Sequence, residues 1–336
     1  MRLTAFIPTV GRELVVALEA CGIQTDSDLL FSAQPLELFL RLPEGTATLQ
    51  ELVQFRTLVA EAAAAPSKSG SELFEEHLAF QDPIHKVSGV FSLDALLESL
   101  VAPQIIHISG DRGAGKSAFA LNVALRMLAE HDNSNVLWID TTGDFSPTNA
   151  KRVLEYTRGQ QPDNSPLERL QVSLLFDNDT LYTVLEEHQM TYEHTPTRHS
   201  HRCVVIDTIT PLLGPLLSAE SAHGHATMVS TIHHLRDYAR QHSVLVLLVN
   251  NATLAQPNDY LHTVTPTTKK PALGPSFTFL TDATIWISAC PPPDNAMEDD
   301  SSTFHSAQLI ASKNTQSDQF SEFRLRDGTI LPPLES

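Results

Sequence analysis

The stretch ISGDRGAGKSAF, residues 108–119, decides the fold of this chain. It follows the apolar run QIIHIS, opens an apolar helical pattern, and satisfies the pattern GxxxxGK[ST] from Gly110 to Ser117. In this setting the glycines let consecutive backbone N–H groups approach phosphate oxygens, and the positive end of the helix faces the same charge. We therefore predict that the following residues bind a nucleotide: Gly110, Asp111, Arg112, Gly113, Ala114, Gly115, Lys116 and Ser117.

Three side chains are expected to supply the chemistry of this site. Lys116 would reach the β and γ phosphates of ATP, and the Ser117 hydroxyl would bind Mg²⁺. The second metal-facing group is Asp207, which follows the apolar run in RCVVIDT. A carboxylate directly after a buried strand is costly unless that strand ends at the ligand-binding edge of the sheet. A helix-capping role is the alternative for Asp207.

Apolar runs that alternate with helical patterns predict an α/β core. We interpret the runs as buried strands of a mainly parallel sheet covered on both faces: QIIHIS, NVLWID, RLQVSLL, CVVIDT and SVLVLLVNN. The later runs have no helices between them, which indicates antiparallel pairing at the C-terminal edge: ATIWIS, SAQLIASK and FSEFRLRDG.

The chain is predicted to contain a small domain and a large one. Residues 1–62 form an all-α N-terminal domain, because GRELVVALEACGI and TATLQELVQFRTLVAEAAAA carry amphipathic helical patterns. Residues 63–82 form a linker that includes APSKSGSE, and residues 83–336 form the core. Phe74 and Phe80 either fold back on the neighbouring domain or dock into a hydrophobic pocket of a partner.

Charge and composition narrow the possible partners. Lys and Arg number 22 against 40 Asp and Glu, which gives a net charge of −18, and no basic block occurs. Tight binding to nucleic acid needs clustered cations, so DNA contact is expected only locally or beside basic partner subunits. The acidic loop PPPDNAMEDDSS, residues 291–302, is expected to be solvated.

Several other classes of protein are excluded on the same grounds. No apolar run reaches eighteen residues and the N-terminus lacks a signal-peptide pattern, which predicts an intracellular protein without a membrane span. The three cysteines have no CxxC spacing, so neither a zinc ribbon nor a disulfide framework is expected. We interpret the histidine-rich stretch from His223 to His234 as a helix with a polar face rather than a metal site.

Hydrolysis of ATP requires a group that positions the attacking water. The natural place is the end of the strand in VLWIDTTGDF, where Asp140 is followed by two threonines, a glycine and Asp144. No glutamate occurs there. The hydroxyl of Thr142 can hold a water but cannot accept its proton at neutral pH, whereas Asp144 could act only along a different path.

The chain resembles the eukaryotic RecA-like DNA recombinase family, that is, the Rad recombinase paralogues, and in particular the D-type paralogue. Besides the phosphate loop, the resemblance rests on KVSGVFSLDALL (residues 86–97), VVIDTITPLLGPLL (204–217) and KKPALGPSFTFLTDATIWI (269–287). It spans nearly the whole chain. It implies a RecA-like P-loop NTPase core, with a mainly parallel sheet and an antiparallel C-terminal edge, preceded by a small all-α domain.

The same resemblance implies roles for individual residues. Asn251 lies near the position where active recombinases sense the γ phosphate, and Thr142 lies where they carry the catalytic glutamate. Lys269 and Lys270 lie beside a DNA-facing loop; they are candidate DNA contacts that could equally face ATP, a neighbouring subunit or water. Filament formers carry a Phe-x-x-Ala linker motif, which the FEEH stretch starting at Phe74 does not match, so pairing with a different subunit is expected over self-polymerisation.

We therefore expect an ATP-binding mediator subunit of homologous recombination and double-strand break repair, with weak or partner-dependent ATPase activity on single-stranded DNA. The expected cofactors are ATP and Mg²⁺. The expected partners are other recombinase paralogues in a hetero-complex and single-stranded or branched DNA. A nuclear location rests on the resemblance alone. Two alternatives remain: a fully active DNA-dependent ATPase with strand-exchange activity, and a non-hydrolysing scaffold that nucleotide stabilises.

Overall fold

The structure is a computed structural model of the full chain. It describes the following residues: 2–7, 9–43, 45–64, 69–72, 74–75, 88–97, 102–132, 134–157, 165–193, 202–217, 222–254, 269–293, 301–313 and 317–334. These residues divide into two compact units, Met1–Glu75 and Glu76–Ser336. The predicted bounds at residues 62 and 82 remain predictions, and Phe80 lies outside the described residues.

The first unit is helical. Its helices are α1 (Arg12–Ala20), α2 (Asp26–Phe31), α3 (Pro35–Arg41) and α4 (Leu49–Ala63). Thr25 and Thr48 begin α2 and α4 with reciprocal capping boxes, which satisfy backbone N–H groups that the helix itself leaves unpaired. The helices enclose a small apolar core, in which the rings of Phe6 and Phe55 meet edge to face at 5.8 Å.

The second unit alternates strands and helices as predicted. Its strands are β1 (Gln104–Gly110), β2 (Asn135–Asp140), β3 (Leu170–Leu174), β4 (Arg202–Asp207), β5 (Val244–Leu254), β6 (Lys269–Pro271), β7 (Ala283–Cys290), β8 (Thr303–Ser312), β9 (Gln319–Arg326) and β10 (Thr329–Leu331). Its helices are α5 (Phe91–Leu97), α6 (Lys116–Glu130), α7 (Pro147–Thr157), α8 (Ser165–Glu168), α9 (Asn178–Glu193), α10 (Thr210–Leu213), α11 (Ala222–His242) and α12 (Pro275–Leu280).

The strands form a ten-stranded sheet in the order β10-β9-β8-β7-β1-β5-β4-β2-β3, with β6 paired to β5 outside this path. The pairs among β1 to β5 and the β1–β7 pair are parallel. The β5–β6 pair and the pairs among β7 to β10 are antiparallel. This confirms the predicted mainly parallel sheet with an antiparallel C-terminal edge. The carboxyl ends of β1, β2, β4 and β5 meet at one edge because these strands are parallel neighbours.

Alternate residues of the central strands feed two separate apolar cores. Ile106 and Ile108 of β1 pack with α6 in one core, whereas Ile105 packs with α9 and α11 in the other. Successive side chains of a strand point to opposite faces, so continuous apolar strands are buried on both sides by helices. The sheet is therefore covered on both faces, and its carboxyl edge presents the loops that contain the predicted site residues.

For one strand, the predicted burial was wrong. The run RLQVSLL was interpreted as a buried strand, but among the described strands β3 lies at the edge of the sheet and pairs with β2 alone. Val172 and Leu174 are about half exposed on it, and Phe176 just beyond it is 67% exposed. An apolar run does not reveal where its strand lies in the sheet order.

The sequence predicted neither a membrane span nor a metal site in the histidine-rich stretch, and the described residues bear on both predictions. None of the helices within them is long and apolar enough to cross a membrane. The histidine-rich stretch lies on the single helix α11, and no group of three or more potential metal ligands occurs within the described ranges.

Candidate functional site

The phosphate loop has the backbone that phosphate binding requires. Gly113 and Gly115 adopt φ angles of 79° and 90°, which only glycine adopts readily, and Gly115 caps α6. At Gly110 an added Cβ would lie 2.1 Å from the carbonyl oxygen of Ile287 on β7. At Gly115 an added Cβ would lie 2.5 Å from the side chain of Leu325, so strand β9 packs directly against the loop.

Lys116 lies at the first position of α6 and is buried. Its Nζ donates a hydrogen bond to the carbonyl oxygen of Asp111 at 2.7 Å, which places the ammonium group within the loop. Burial lowers the pKa of Lys116, and the negative charges of Asp207 and Asp111 offset part of this effect. A desolvated cation held inside a glycine-rich loop is suited to an anionic ligand.

Ser117 and Asp207 come together from two different elements. The Ser117 hydroxyl on α6 donates to Asp207 Oδ1, at the carboxyl end of β4, over 3.1 Å. Burial raises the pKa of Asp207 to about 6; the Ser117 hydrogen bond and Lys116 oppose this shift, whereas the carboxylates of Asp140 and Asp144 add to it. A hydroxyl beside a buried carboxylate is the oxygen donor set that Mg²⁺ prefers. The helix-capping alternative for Asp207 is not favoured by this geometry.

The end of β2 is arranged differently. Both oxygens of Asp140 are occupied, because Oδ1 accepts the N–H groups of Thr142 and Gly143 at 2.9 and 2.8 Å, and Oδ2 accepts that of Phe145 at 2.9 Å. The Thr142 hydroxyl also donates to Oδ1, at 3.3 Å. Burial alone would raise the pKa of Asp140, but these backbone donors outweigh it and the pKa is lowered. Asp140 therefore stabilises the loop that follows β2.

A cavity of about 590 Å³ joins these parts. Its size lies in the range of small-molecule sites. The predicted site residues that line it are Arg112, Gly113, Lys116, Ser117, Asp207 and Asn251. Thr142 and Asp144 line it as well, so the strand end that carries the water-positioning group in active members faces the same space. Gly110, Asp111, Ala114 and Gly115 shape the loop without lining the cavity.

The cavity wall carries an observation that favours a polar ligand. The hydroxyl of Thr208 is buried there and has no hydrogen-bond partner among the described residues. Buried polar groups are normally satisfied, so an orphaned one beside a cavity fits a ligand that supplies the partner. The residues present therefore fit a nucleotide with its metal: a cradle of backbone N–H groups, a cation, a hydroxyl and a carboxylate.

The two candidate DNA contacts lie on β6. Lys269 is half exposed and forms an ion pair with Asp111 of the phosphate loop, with Nζ 2.6 Å from Oδ2. Lys270 pairs with Thr253 in the β5–β6 ladder. Neither lysine lines the cavity. The loop between β5 and β6, residues 255–268, lies outside the described residues.

Several residues that shape the site were not predicted from the sequence. Thr141 joins the ends of β2 and β4, because its hydroxyl donates to the carbonyl oxygen of Thr208 at 2.7 Å and accepts the N–H of Thr208 at 2.9 Å. Trp138 and Phe145 line the cavity with their rings 5.5 Å apart. Asp140 could have been noticed by the logic that identified Asp207, since it also ends an apolar strand.

The chain is similar to known proteins in sequence and in fold. A family model described as "AAA domain" matches residues 92–252. The chain is 29% identical over 290 residues to the DNA repair protein RAD51 homolog 4 of Bos taurus, covering 84% of this chain and 83% of the bovine protein. The mouse protein of the same name is 29% identical over 284 residues, covering 83% and 82%. The crystal structure of the RadB recombinase superposes with a TM-score of 0.56 at 20% identity, covering 74% of this chain and 98% of RadB.

The fold is that of a RecA-like P-loop protein. The RadB structure supports the fold of this class. The relatives are DNA repair proteins by name, and they confirm the resemblance to the eukaryotic recombinase family and to its D-type paralogue, the RAD51 homolog 4 type.

Proposed function

We propose that this chain is an ATP- and Mg²⁺-binding subunit of the machinery of homologous recombination. It acts in the nucleus as a mediator beside other recombinase paralogues on single-stranded or branched DNA. Its own hydrolysis of ATP is weak or depends on a partner. The observation that carries the proposal is the cavity in which Lys116, Ser117 and Asp207 converge, next to a β2 end that carries threonine at the decisive position.

The binding half of the proposal rests on charge and hydrogen bonding. The N–H groups of the loop and Lys116 neutralise the phosphates, while Ser117 and Asp207 provide two oxygen ligands for the ion. When bound, Mg²⁺ would add positive charge at the β and γ phosphates. Asn251, in the C-terminal half of β5, lines the same cavity and carries an amide.

The weakness of hydrolysis follows from the end of β2. Thr142 cannot accept a proton, and its hydroxyl is directed to Asp140 at 3.3 Å. Asp140 is itself engaged by backbone N–H groups. The side chain of Asp144, however, lines the cavity, and this observation favours the fully active ATPase as a second candidate.

Assembly with other subunits is supported by charge and by exposed apolar side chains. A net charge of −18 disfavours tight binding to DNA by this chain alone. Phe31 and Leu40 of the first unit are 83% and 74% exposed, and the β3 edge of the second unit exposes Val172, Leu174 and Phe176. Open strand edges and large exposed apolar groups are common at protein interfaces.

The ATP part is tested with the purified full-length chain. Binding of MgATP and its turnover are measured for the wild type and for Thr142→Glu, alone and with candidate paralogue subunits and single-stranded DNA. We expect binding with slow turnover in the wild type. Fast turnover by the isolated wild type would support the second candidate instead, and Asp144→Asn would then abolish that turnover.

The assembly part needs a separate measurement. Co-purification with recombinase paralogues is compared for the wild type, Phe31→Asp and Val172→Asp, with Tyr156→Asp as a half-exposed control on α7. We expect at least one of the two variants to lose a partner that the control retains. A wild type that binds no paralogue, yet exchanges DNA strands alone, would overturn the mediator role.

A further inference from the structure

A histidine lies in the middle of the most buried strand of the sheet. His107 of β1 is fully buried between Ile106 and Ile108, in a strand flanked by β5 and β7. Its ring meets that of Phe277 edge to face at 4.9 Å. An imidazole in such a place is costly unless both nitrogens are paired.

The hydrogen bonds of His107 define its state. Nε2 lies 2.9 Å from the side-chain amide nitrogen of Asn250, and Nδ1 lies 3.3 Å from the hydroxyl of Thr284. The Asn250 amide is oriented by two other bonds: its oxygen accepts the Thr210 hydroxyl at 2.8 Å, and its nitrogen donates to the carbonyl oxygen of Ala272 at 2.8 Å. The nitrogen of Asn250 therefore donates to Nε2, and the ring proton is on Nδ1.

Burial also fixes the charge of the ring. It lowers the pKa of His107 to about 3, so the ring is neutral at physiological pH. Only a neutral imidazole can accept the hydrogen bond from Asn250.

Asn250 connects this ring to the cavity. Thr210, which donates to Asn250, also accepts the backbone N–H of Asn251 at 3.1 Å. The carbonyl oxygen of Asn251 accepts the N–H of Ala272 at 2.8 Å. The dipeptide 250–251 is thus tied to the start of α10 and to the residue that follows β6. Asn251 is in register with Gly110 of the phosphate loop, and it lines the cavity together with Asp207.

We propose that His107 is a positioning residue for the nucleotide site, which it serves through Asn250 and Asn251. The neutral ring orients the Asn250 amide, and that amide fixes where the Asn251 side chain enters the cavity. The inference rests on the proposed function, because it assumes that the cavity binds MgATP. A histidine that merely fills the core would contribute to stability without a specific link to Asn251.

The test is a double-mutant cycle in the full-length chain, with MgATP as the probe. His107→Phe keeps a planar ring, somewhat larger than imidazole, and removes both hydrogen bonds, and we expect about a fivefold loss of MgATP affinity, the size of one hydrogen bond. His107→Gln retains an acceptor and a donor and should stay within about twofold of the wild type. His188→Phe, at a buried histidine that bonds Tyr238 on another helix, is the matched control and should also stay within about twofold.

The second half of the double-mutant cycle tests whether His107 acts through Asn251. In the Asn251→Ala background, His107→Phe should cost no further affinity, because the group that it positions is gone. An equal loss in both backgrounds, or no loss in either, would show that His107 is a core residue only and would overturn the inference while leaving the proposed function intact. A wild type that binds no MgATP would overturn the proposed function and the inference together.

A ligand-free readout covers the case in which His107→Phe fails to fold. Nitrogen NMR of the labelled wild-type chain at pH 7 should show His107 neutral, with its proton on Nδ1. A proton on Nε2, or a charged ring, would contradict the hydrogen-bond scheme and overturn the inference.

Discussion

The two strand ends that flank the cavity are built in opposite ways. At the end of β4, the carboxylate of Asp207 accepts a hydrogen bond from the Ser117 hydroxyl, and burial raises its pKa to about 6. At the end of β2, Asp140 is held by three backbone N–H groups, which lower its pKa. One carboxylate is left for a ligand, and the other is used to fold a loop. If the proposed function is right, nucleotide binding and bond breaking depend on separate strand ends, and one can weaken while the other persists.

The largest effect is expected at the binding side. Lys116→Ala removes the cation from the loop and should lower MgATP affinity by about 100-fold, since bonds to charged groups contribute about 1.5–3 kcal/mol each. Isothermal calorimetry of the full-length chain measures this loss. Lys151→Ala, at an exposed lysine of α7, is the control and should bind as the wild type does. If Lys116→Ala bound MgATP as the wild type does, the role of Lys116 in nucleotide binding would be wrong.

The next effect concerns the β2 end. Thr142→Glu places a carboxylate on the cavity wall, and we expect ATP turnover to rise by at least about tenfold, because a well-positioned base contributes about 10²–10⁴-fold. Single-turnover kinetics at saturating MgATP separates this change from any change in binding. Thr142→Gln, which has the same length without the base, should remain slow. If neither variant differs from the wild type, the missing carboxylate is not what limits turnover.

These two strand ends also show which features of the molecule can be predicted from the sequence. The phosphate loop and Asp207 were predictable because their signals are local: a glycine pattern between a strand and a helix, and a carboxylate after an apolar run. The exposure of β3 was not predictable, since it depends on the order of strands in the sheet.

The role of Asp140 depends on a loop that turns back to reach its own carboxylate. The partners of His107, Asn250 and Thr284, lie 143 and 177 residues further along the chain, so no local pattern announces them.

A smaller effect should follow from Asp140→Asn. The amide retains one acceptor oxygen for the N–H groups of its loop, and we expect a loss of about 1 kcal/mol in the free energy of unfolding. Urea denaturation at pH 7 measures it. Because the folded pKa of Asp140 is lowered, its stabilising contribution is present above the unfolded pKa of roughly 4 and is lost as pH falls through the folded value. The difference between wild type and variant should therefore shrink in acid. A difference that grows in acid would contradict the assigned role.

The smallest effect is expected for Lys269→Ala. This variant tests whether the nucleotide-binding side of the comparison includes β6. The ion pair between Lys269 and Asp111 is short, at 2.6 Å, but both side chains are about two-fifths exposed. Exposed pairs contribute roughly 0–1 kcal/mol, so stability should change little, and MgATP affinity should change by less than about threefold. The measurement is MgATP affinity at low and high salt, with Lys270→Ala beside it. A loss comparable to that of Lys116→Ala would mean that Lys269 reaches the nucleotide itself. The binding side would then extend to β6.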